Sequence, residues 1–198
     1  TAATHGRVAA APKATPYKGG TTVTLTAYPS IGWKFDRWSG DLDSADNPVR
    51  ITMNSHKQIR AAFAKDPDAP ILLSREKPVK ASSVEKTDFR PENATDGDPK
   101  TRWSSQFADP QWVMIDLGEV HPIEAIKLAW EVAHAKEYRI DVSDDGKTWT
   151  NIHGKKNCRG RTEEIIGLKV RGRYVRLTSL SRATEWGCSL WEFEVYGR

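Results

Sequence analysis

Sulfur is scarce in this sequence, with two cysteines and two methionines in 198 residues. Two cysteines exclude a disulfide-rich scaffold and a four-cysteine zinc site, and leave a single pair, Cys158 and Cys188, for any bridge. Long apolar runs are also missing, and none approaches the roughly 18 residues that a membrane-crossing helix needs. No HExxH or GxSxG motif occurs, and the five histidines are scattered. The GKT at 146–148 ends like a phosphate loop, but Asp141 stands where that loop requires its first glycine. Asp144-Asp145 and Glu163-Glu164 are adjacent pairs whose members point apart, whereas a glycosidase needs carboxyls facing each other across roughly 5–9.5 Å. No catalytic role is expected for this chain. It opens TAATHGRV, with neither an initiator Met nor a signal peptide, so it is expected to be cut from a longer protein.

Charge is unevenly placed. Up to Asp66 there are nine Lys/Arg against five Asp/Glu, which accounts for the whole net charge of +4; the remainder is balanced at 21 against 21. There is no basic run with a nucleic-acid-binding motif. The stretch KDPDAP (65–70) holds two prolines and two acids between apolar-patterned segments, a composition that continues neither a ladder nor a helix. It predicts two units, residues 1–65 and 72–198, joined by a linker at 66–71.

Both units read as strands. In the first, TTVTLTAY (21–28), VRITM (49–53) and QIRAAF (58–63) alternate apolar and polar residues with a period of two. In the second, WVMIDLG (112–118), AIKLAW (125–130), YRIDVS (138–143), RYVRLTS (173–179) and SLWEFEVYG (189–197) do the same or are rich in β-branched residues. Asp145-Gly146 between two of these runs is a strong hairpin signal. No segment carries a helical period of useful length. Many short strands punctuated by turns predict an all-β sandwich or barrel.

The order GGTTVTLTAYPSIGWKFDRWSGD followed by NPVRITMNSHKQIRAAF resembles the divergent bacterial repeat related to internalin-type B repeats, over residues 4–64. That resemblance implies a small β-rich spacer. Trp38 beside Phe35 reads as a core anchor, and Trp33 as either core or a sugar platform. The ordered set NATDGDPKTRWSS, QWVMIDLGEVHPI, YRIDVSDDGKTW, RYVRL and SLWEFEVYG resembles the coagulation factor V/VIII type C, or discoidin, domain over about 72–198. Within that family it is most similar to family 32 carbohydrate-binding modules and the discoidin modules of bacterial glucanases and chitosanases. The implied fold is an eight-stranded antiparallel jelly-roll-like β-sandwich, preceded here by the repeat unit.

The resemblance also implies a structural calcium site. Its ligands, carried onto matching positions, are the Asn93 carbonyl, the Asp96 side chain, Asp98, Thr101, the Trp191 carbonyl and the Glu192 side chain. The residue types suit a hard cation, which takes six to eight oxygens from carboxylates and carbonyls. Alternation in the last strand places Trp191, Phe193 and Val195 inward and turns Glu192 toward something polar. The bland alternative is an Asx-type turn and a solvated glutamate.

Sugar recognition needs an aromatic face and a few placed polar groups. Trp103, Trp149 and Trp112 read as core or rim. Trp130 ends a strand after Ile126 and Leu128 and reads as core with an edge available to ligand. Trp186, in RATEWGCS, has no periodicity that assigns it to a core and is the best stacking candidate. Glu85, Gln106, Glu131, His134 and Arg182 are the candidate polar partners, with Arg159 a further one. The resemblance implies that some chitosan binders carry a glutamate where this chain has Gln106, so a neutral glucan, and β-1,3-glucan in particular, is favoured over a cationic sugar. It also implies secretion, and with it a Cys158–Cys188 bridge pinning the Trp186 loop; two separate thiols are the alternative.

The expectation is a non-catalytic, calcium-stapled carbohydrate-binding fragment of a secreted bacterial polysaccharide-degrading enzyme, monomeric within a larger chain, with no nucleic-acid partner and no membrane insertion. The alternatives are a chitosan- or galactoside-binding module, or a cell-surface adhesion module for protein or lipid. Animal coagulation-factor domains of the latter kind use protruding apolar loop tips, and no exposed Leu, Phe or Met spike stands out in the sequence.

Overall fold

The computed structural model describes residues 5–198, so residues 1–4, including the first position of the repeat resemblance, lie outside the described residues. The chain divides into two compact units, Thr1–Ala69 and Pro70–Arg198.

In the first unit, strands β1 (Gly6–Ala11), β2 (Thr21–Pro29) and β4 (Val49–Met53) form an antiparallel sheet in the order β1-β2-β4. Strands β3 (Trp33–Gly40) and β5 (Ile59–Lys65) make a separate two-stranded ribbon. The period-two pattern of β2 does what it predicts, burying Val23, Leu25 and Ala27 while the threonines between them stay outside the core. Trp38 is fully buried beside Phe35, and its Nε1–H donates to the Asp46 carbonyl at 2.9 Å. Trp33 is no open platform. The His5 ring stacks on it at 3.5 Å and Lys65 Nζ lies 4.5 Å from its centroid, so the indole already has protein partners.

The second unit is an antiparallel sandwich of eight strands: β6 (Ile71–Leu72), β7 (Val79–Ala81), β8 (Trp103–Ser104), β9 (Gln111–Trp130), β10 (Ala135–Ser143), β11 (Thr150–Lys155), β12 (Thr162–Arg182) and β13 (Ser189–Gly197). Ile71, placed in the linker by the sequence, instead pairs with Gly197. Two runs read as separate strands, WVMIDLG and AIKLAW, are halves of one bent strand, β9. Its first half pairs with the end of β12 and with β7, and its second half with the start of β12 and with β13. The bend falls at Gly118 (φ 93°) and is matched by register shifts in β12 between Ile166 and Val170 and between Gly172 and Tyr174. Thus β9 and β12 pass from one layer of the sandwich to the other.

Between the layers lies a core that includes Trp103, Val113, Ile115, Leu117, Ile126, Leu128, Tyr138, Leu177, Phe193 and Val195. Each aliphatic side chain buried there stabilises by roughly 1.5–3 kcal/mol. Asp145 and Gly146 form the β10–β11 turn. Asp145 Oδ1 accepts the N–H groups of Lys147 and Thr148, both at 2.8 Å, and these bonds hold its carboxyl down at about 2. Helical structure among the described residues is confined to two 3-10 turns, Thr87–Phe89 and Pro91–Ala94.

Candidate functional site

Four segments meet at one end of the sandwich: residues 82–86 after β7, 105–110 between β8 and β9, 131–134 between β9 and β10, and 183–188 between β12 and β13. They come together because the ends of β9 and β13 and of β10 and β12 lie side by side, Trp130 against Leu190 and Ala135 against Arg182. Among them is a groove of about 330 Å³ lined by Glu85, Arg102, Ser104, Glu131, Val132, Ala133 and Trp186.

Trp186 is 53% exposed and forms one wall. Glu85 and Glu131 supply the carboxylates. Glu85 Oε2 accepts the Ser104 hydroxyl at 2.8 Å, and Glu131 Oε2 accepts the Ala133 N–H at 2.8 Å. Neither has a cationic partner within 4 Å among the described residues. Both therefore keep acceptor capacity facing the groove. Three of the predicted sugar contacts are brought together here.

The other four are not, each for a physical reason. Trp130 is only 4% exposed and packs against the Tyr138 ring at 5.3 Å, so no edge is left for a ligand. Gln106 is exposed but outside the groove lining; its N–H donates to Ser83 Oγ at 2.9 Å. The His134 ring lies against Gly160, and its Nδ1 is 2.8 Å from the Val132 carbonyl. Arg182 directs its guanidinium at the protein's own backbone. Arg159 is exposed and does not line the groove either.

Sequence reasoning missed Arg102, Ser104 and the rim residues. The Arg102 guanidinium sits 3.8 Å over the Phe89 ring and 5.5 Å from Trp191, and the residue is part of the groove lining. Its place in TRWS, next to the fully buried Trp103, was the available signal: strand alternation puts Arg102 opposite in orientation to the core indole. Phe107 and Val132, 47% and 75% exposed, correct the expectation that no apolar side chain protrudes. They sit in loops, where no period marks them.

The cysteines are free thiols, not the expected bridge. Cys158 Sγ donates to Glu163 Oε1 at 2.9 Å, and Glu163 Oε2 also accepts from Tyr138 and Lys155. Burial pushes the Cys158 thiol up to about 11 and the Cys188 thiol up to about 12. Cys158 is held by the carboxylate and Cys188 is packed in the core, so each thiol is already accommodated on its own.

The NATDGDPKTRWS loop folds tightly. Asp96 Oδ1 accepts the Asp98 N–H at 2.8 Å and its Oδ2 accepts the Thr101 hydroxyl at 2.7 Å; Asp98 Oδ1 accepts the Lys100 N–H at 2.9 Å. Asn93 uses its Nδ2 to bridge the Asp88 and Arg102 carbonyls, at 2.8 and 3.0 Å, which fastens the two ends of the loop. Gly97 has φ 78°, and a Cβ there would overlap Arg75 Nη1.

The last strand departs from simple alternation. A register shift between Leu190 and Glu192 leaves Trp191 unpaired, so Leu190, Phe193 and Val195 fill the core and Trp191 does not. Glu192 is 9% exposed, and its Oε1 is buried with no hydrogen-bond partner. Burial first, then the nearby Glu194 and Asp96 charges, push its carboxyl up to about 7, with Arg75 opposing. No three His, Cys, Asp or Glu side chains converge among the described residues. A cation held here would rest on the Asp96 and Glu192 carboxylates together with loop oxygens. The orphaned Glu192 oxygen beside a second carboxylate and an unpaired bulge residue fits that donor chemistry.

An antiparallel sandwich with a loop-borne groove at one end, flanked by an exposed indole, defines a binding module. Residues 78–193 match the family model described as F5/8 type C domain, and residues 1–67 match that of the Divergent InlB B-repeat domain. The chain belongs to the F5/8 type C domain family. Chitosan-binding module 1 of a chitosanase/glucanase from Paenibacillus sp. IK-5 is similar in structure, with a TM-score of 0.62 and 38% identity, covering 64% of this chain and 99% of that one. Module 2 of the same enzyme, solved with chitotriose, also has a TM-score of 0.62 and 38% identity, covering 63% and 99%. A polysaccharide lyase 8 family protein, HylA, of Enterococcus faecalis is 34% identical over 116 residues, which span 54% of this chain but 8% of that protein.

Proposed function

We propose that this chain is a non-catalytic carbohydrate-binding fragment of a secreted bacterial polysaccharide-active enzyme. The exposed Trp186 face on a groove that also holds two unneutralised carboxylates carries this reading. The indole would take the apolar face of a pyranose ring, while Glu85, Glu131 and Arg102 accept from and donate to its hydroxyls. A shallow groove of this kind binds weakly as a single site, so avidity with neighbouring modules would hold the parent enzyme on its substrate.

Two β-linked glucose-configured polymers are the ligand candidates. Glu85 and Glu131 without cationic partners favour a glucosamine chain, as does the 38% identity to chitosan-binding modules. Gln106, the neutral side chain that favours a β-1,3-glucan in the sequence, lies outside the groove lining; that glucan is the second reading, favoured by the cation Arg102 in the groove. A structural calcium ion belongs to the same proposal. It would be held by the Asp96 and Glu192 carboxylates with Asn93, Asp98, Thr101 and Trp191 oxygens, and would tie the loop to β13 without activating water. The first unit serves as a spacer.

The test is retention on insoluble chitosan and insoluble β-1,3-glucan, with wild type and Trp186→Ala compared. Wild type is retained on one of them and Trp186→Ala is not. Equal retention of both proteins removes the groove as the site, and retention of neither favours adhesion to protein or lipid.

A further inference from the structure

Trp186 presents its ring to solvent while its backbone is fastened from two sides. On one side stands Arg182, the last residue of β12. Its Nη1 donates to the carbonyls of Glu185 at 3.1 Å and Trp186 at 3.3 Å, and its Nε donates to Asp109 Oδ2 at 3.3 Å. Asp109 lies on the loop that carries Phe107, and the Phe107 ring meets the Trp186 indole edge-on, with centroids 5.7 Å apart and planes at 82°. On the other side Gly187 lies so close to the Ser105 carbonyl that a Cβ would overlap it. There the Cys188 N–H donates to Ser105 Oγ at 2.8 Å, and the Ser105 N–H donates to the Cys188 carbonyl at 2.9 Å.

We infer that Arg182 is a positioning residue that buckles the Trp186 loop to the Phe107 loop and so sets the orientation of the indole before any sugar arrives. The inference rests on the reading of Trp186 as the stacking platform. Without the buckle, the carbonyls of Glu185 and Trp186 would be bonded only to water, and the exposed loop would sample many conformations. Ordering it would then be charged against binding. An arginine suits the task because its planar fork addresses two carbonyls from one nitrogen and a carboxylate from another, in fixed geometry. A lysine offers one point charge on a flexible stem. Arg182 thereby affects the sugar through the shape of the site, not through contact.

The experiment uses the full 198-residue chain labelled with 5-fluorotryptophan, the Trp186 fluorine resonance being assigned by its loss in Trp186→Phe. Arg182→Gln, Arg182→Lys and Asp109→Asn are compared with wild type for this resonance, for thermal stability, and for affinity toward a glucosamine trimer and a β-1,3-glucan trimer. Arg182→Gln is expected to shift or broaden the Trp186 resonance alone among the eight tryptophans and to weaken binding about tenfold. Arg182→Lys should recover part of both effects, and Asp109→Asn should produce a smaller version of them. An unchanged Trp186 resonance in Arg182→Gln overturns the inference. So does disturbance of all eight resonances with a large fall in stability, which would make Arg182 a general structural residue. If Trp186→Ala binds as well as wild type, the site reading fails instead, while the resonance result still decides the buckle.

Discussion

Phe107 meets Trp186 edge-to-face, both rings are about half exposed, and the indole of the pair lines the groove. Such a pair is worth about 0.5–1.5 kcal/mol beyond the area it buries. Because the pair is already formed without sugar, Phe107→Ala should weaken affinity only through lost preorganisation of the indole, by at most roughly 12-fold, and Trp186→Ala should abolish measurable binding of single oligosaccharides. Titration calorimetry with soluble oligomers checks both. Full affinity in Trp186→Ala would contradict the proposed platform.

Glu192 contributes a pH dependence to the metal-free module, opposed by His153, whose imidazole is pushed down by burial. The Glu192 carboxyl is raised from 4.5 to about 7, chiefly by burial, so the folded state binds its proton more tightly than the unfolded chain does. The stabilising contribution is fully present below about pH 4.5 and is lost as pH rises through about 7. The loss should approach roughly 2–3 kcal/mol. In chelator, melting temperature should fall between pH 5 and 8 in wild type and stay flatter in Glu192→Gln. Added calcium at pH 8 should restore wild type and leave Glu192→Gln unmoved; equal responses would count against the proposed ion.

Trp103 fills the core with no exposure, and its Nε1–H donates to the Ser83 carbonyl at 3.1 Å. Trp103→Ala should cost about 3–5 kcal/mol in a urea unfolding transition. It should also loosen the 83–86 segment that carries Glu85. A change under 1 kcal/mol would mean that the core closes over the lost indole more completely than close packing permits.

The two thiols make a chemical prediction. With Cys158 raised to about 11 and Cys188 to about 12, and both buried, neither forms much thiolate at pH 7.5. Native protein should resist iodoacetamide and show two reactive thiols once unfolded. One molecule of reductant consumed per chain, with no thiol before reduction, would restore the disulfide.

Strand existence was legible where alternation is strict: the run SLWEFEVYG is β13 from end to end. What alternation could not reveal is a bulge, because a single extra residue reverses the parity of everything before it. That is why Trp191 was placed in the core and the unpaired position was missed. In the groove, Trp186 stands out by lacking any period, and Arg102 by its place beside the buried Trp103, whereas Val132 gives no local sign of lining the same groove as Glu85. Trp130 and Arg182 were misjudged for the opposite reason. Each has the right chemistry for sugar, but one ring is spent on Tyr138 and one guanidinium on backbone carbonyls.

Local patterning, read from the sequence alone, determined the β architecture, the Asp145-Gly146 turn and the tight acidic loop, since period and turn chemistry act between residues near in the chain. Tertiary structure alone decided which of the loop residues share a groove, that the cysteines stay apart, and that one Glu192 oxygen is buried without a hydrogen-bond partner. Those outcomes depend on contacts between segments up to about a hundred residues apart, which only the bending and pairing of β9 and β12 bring within reach.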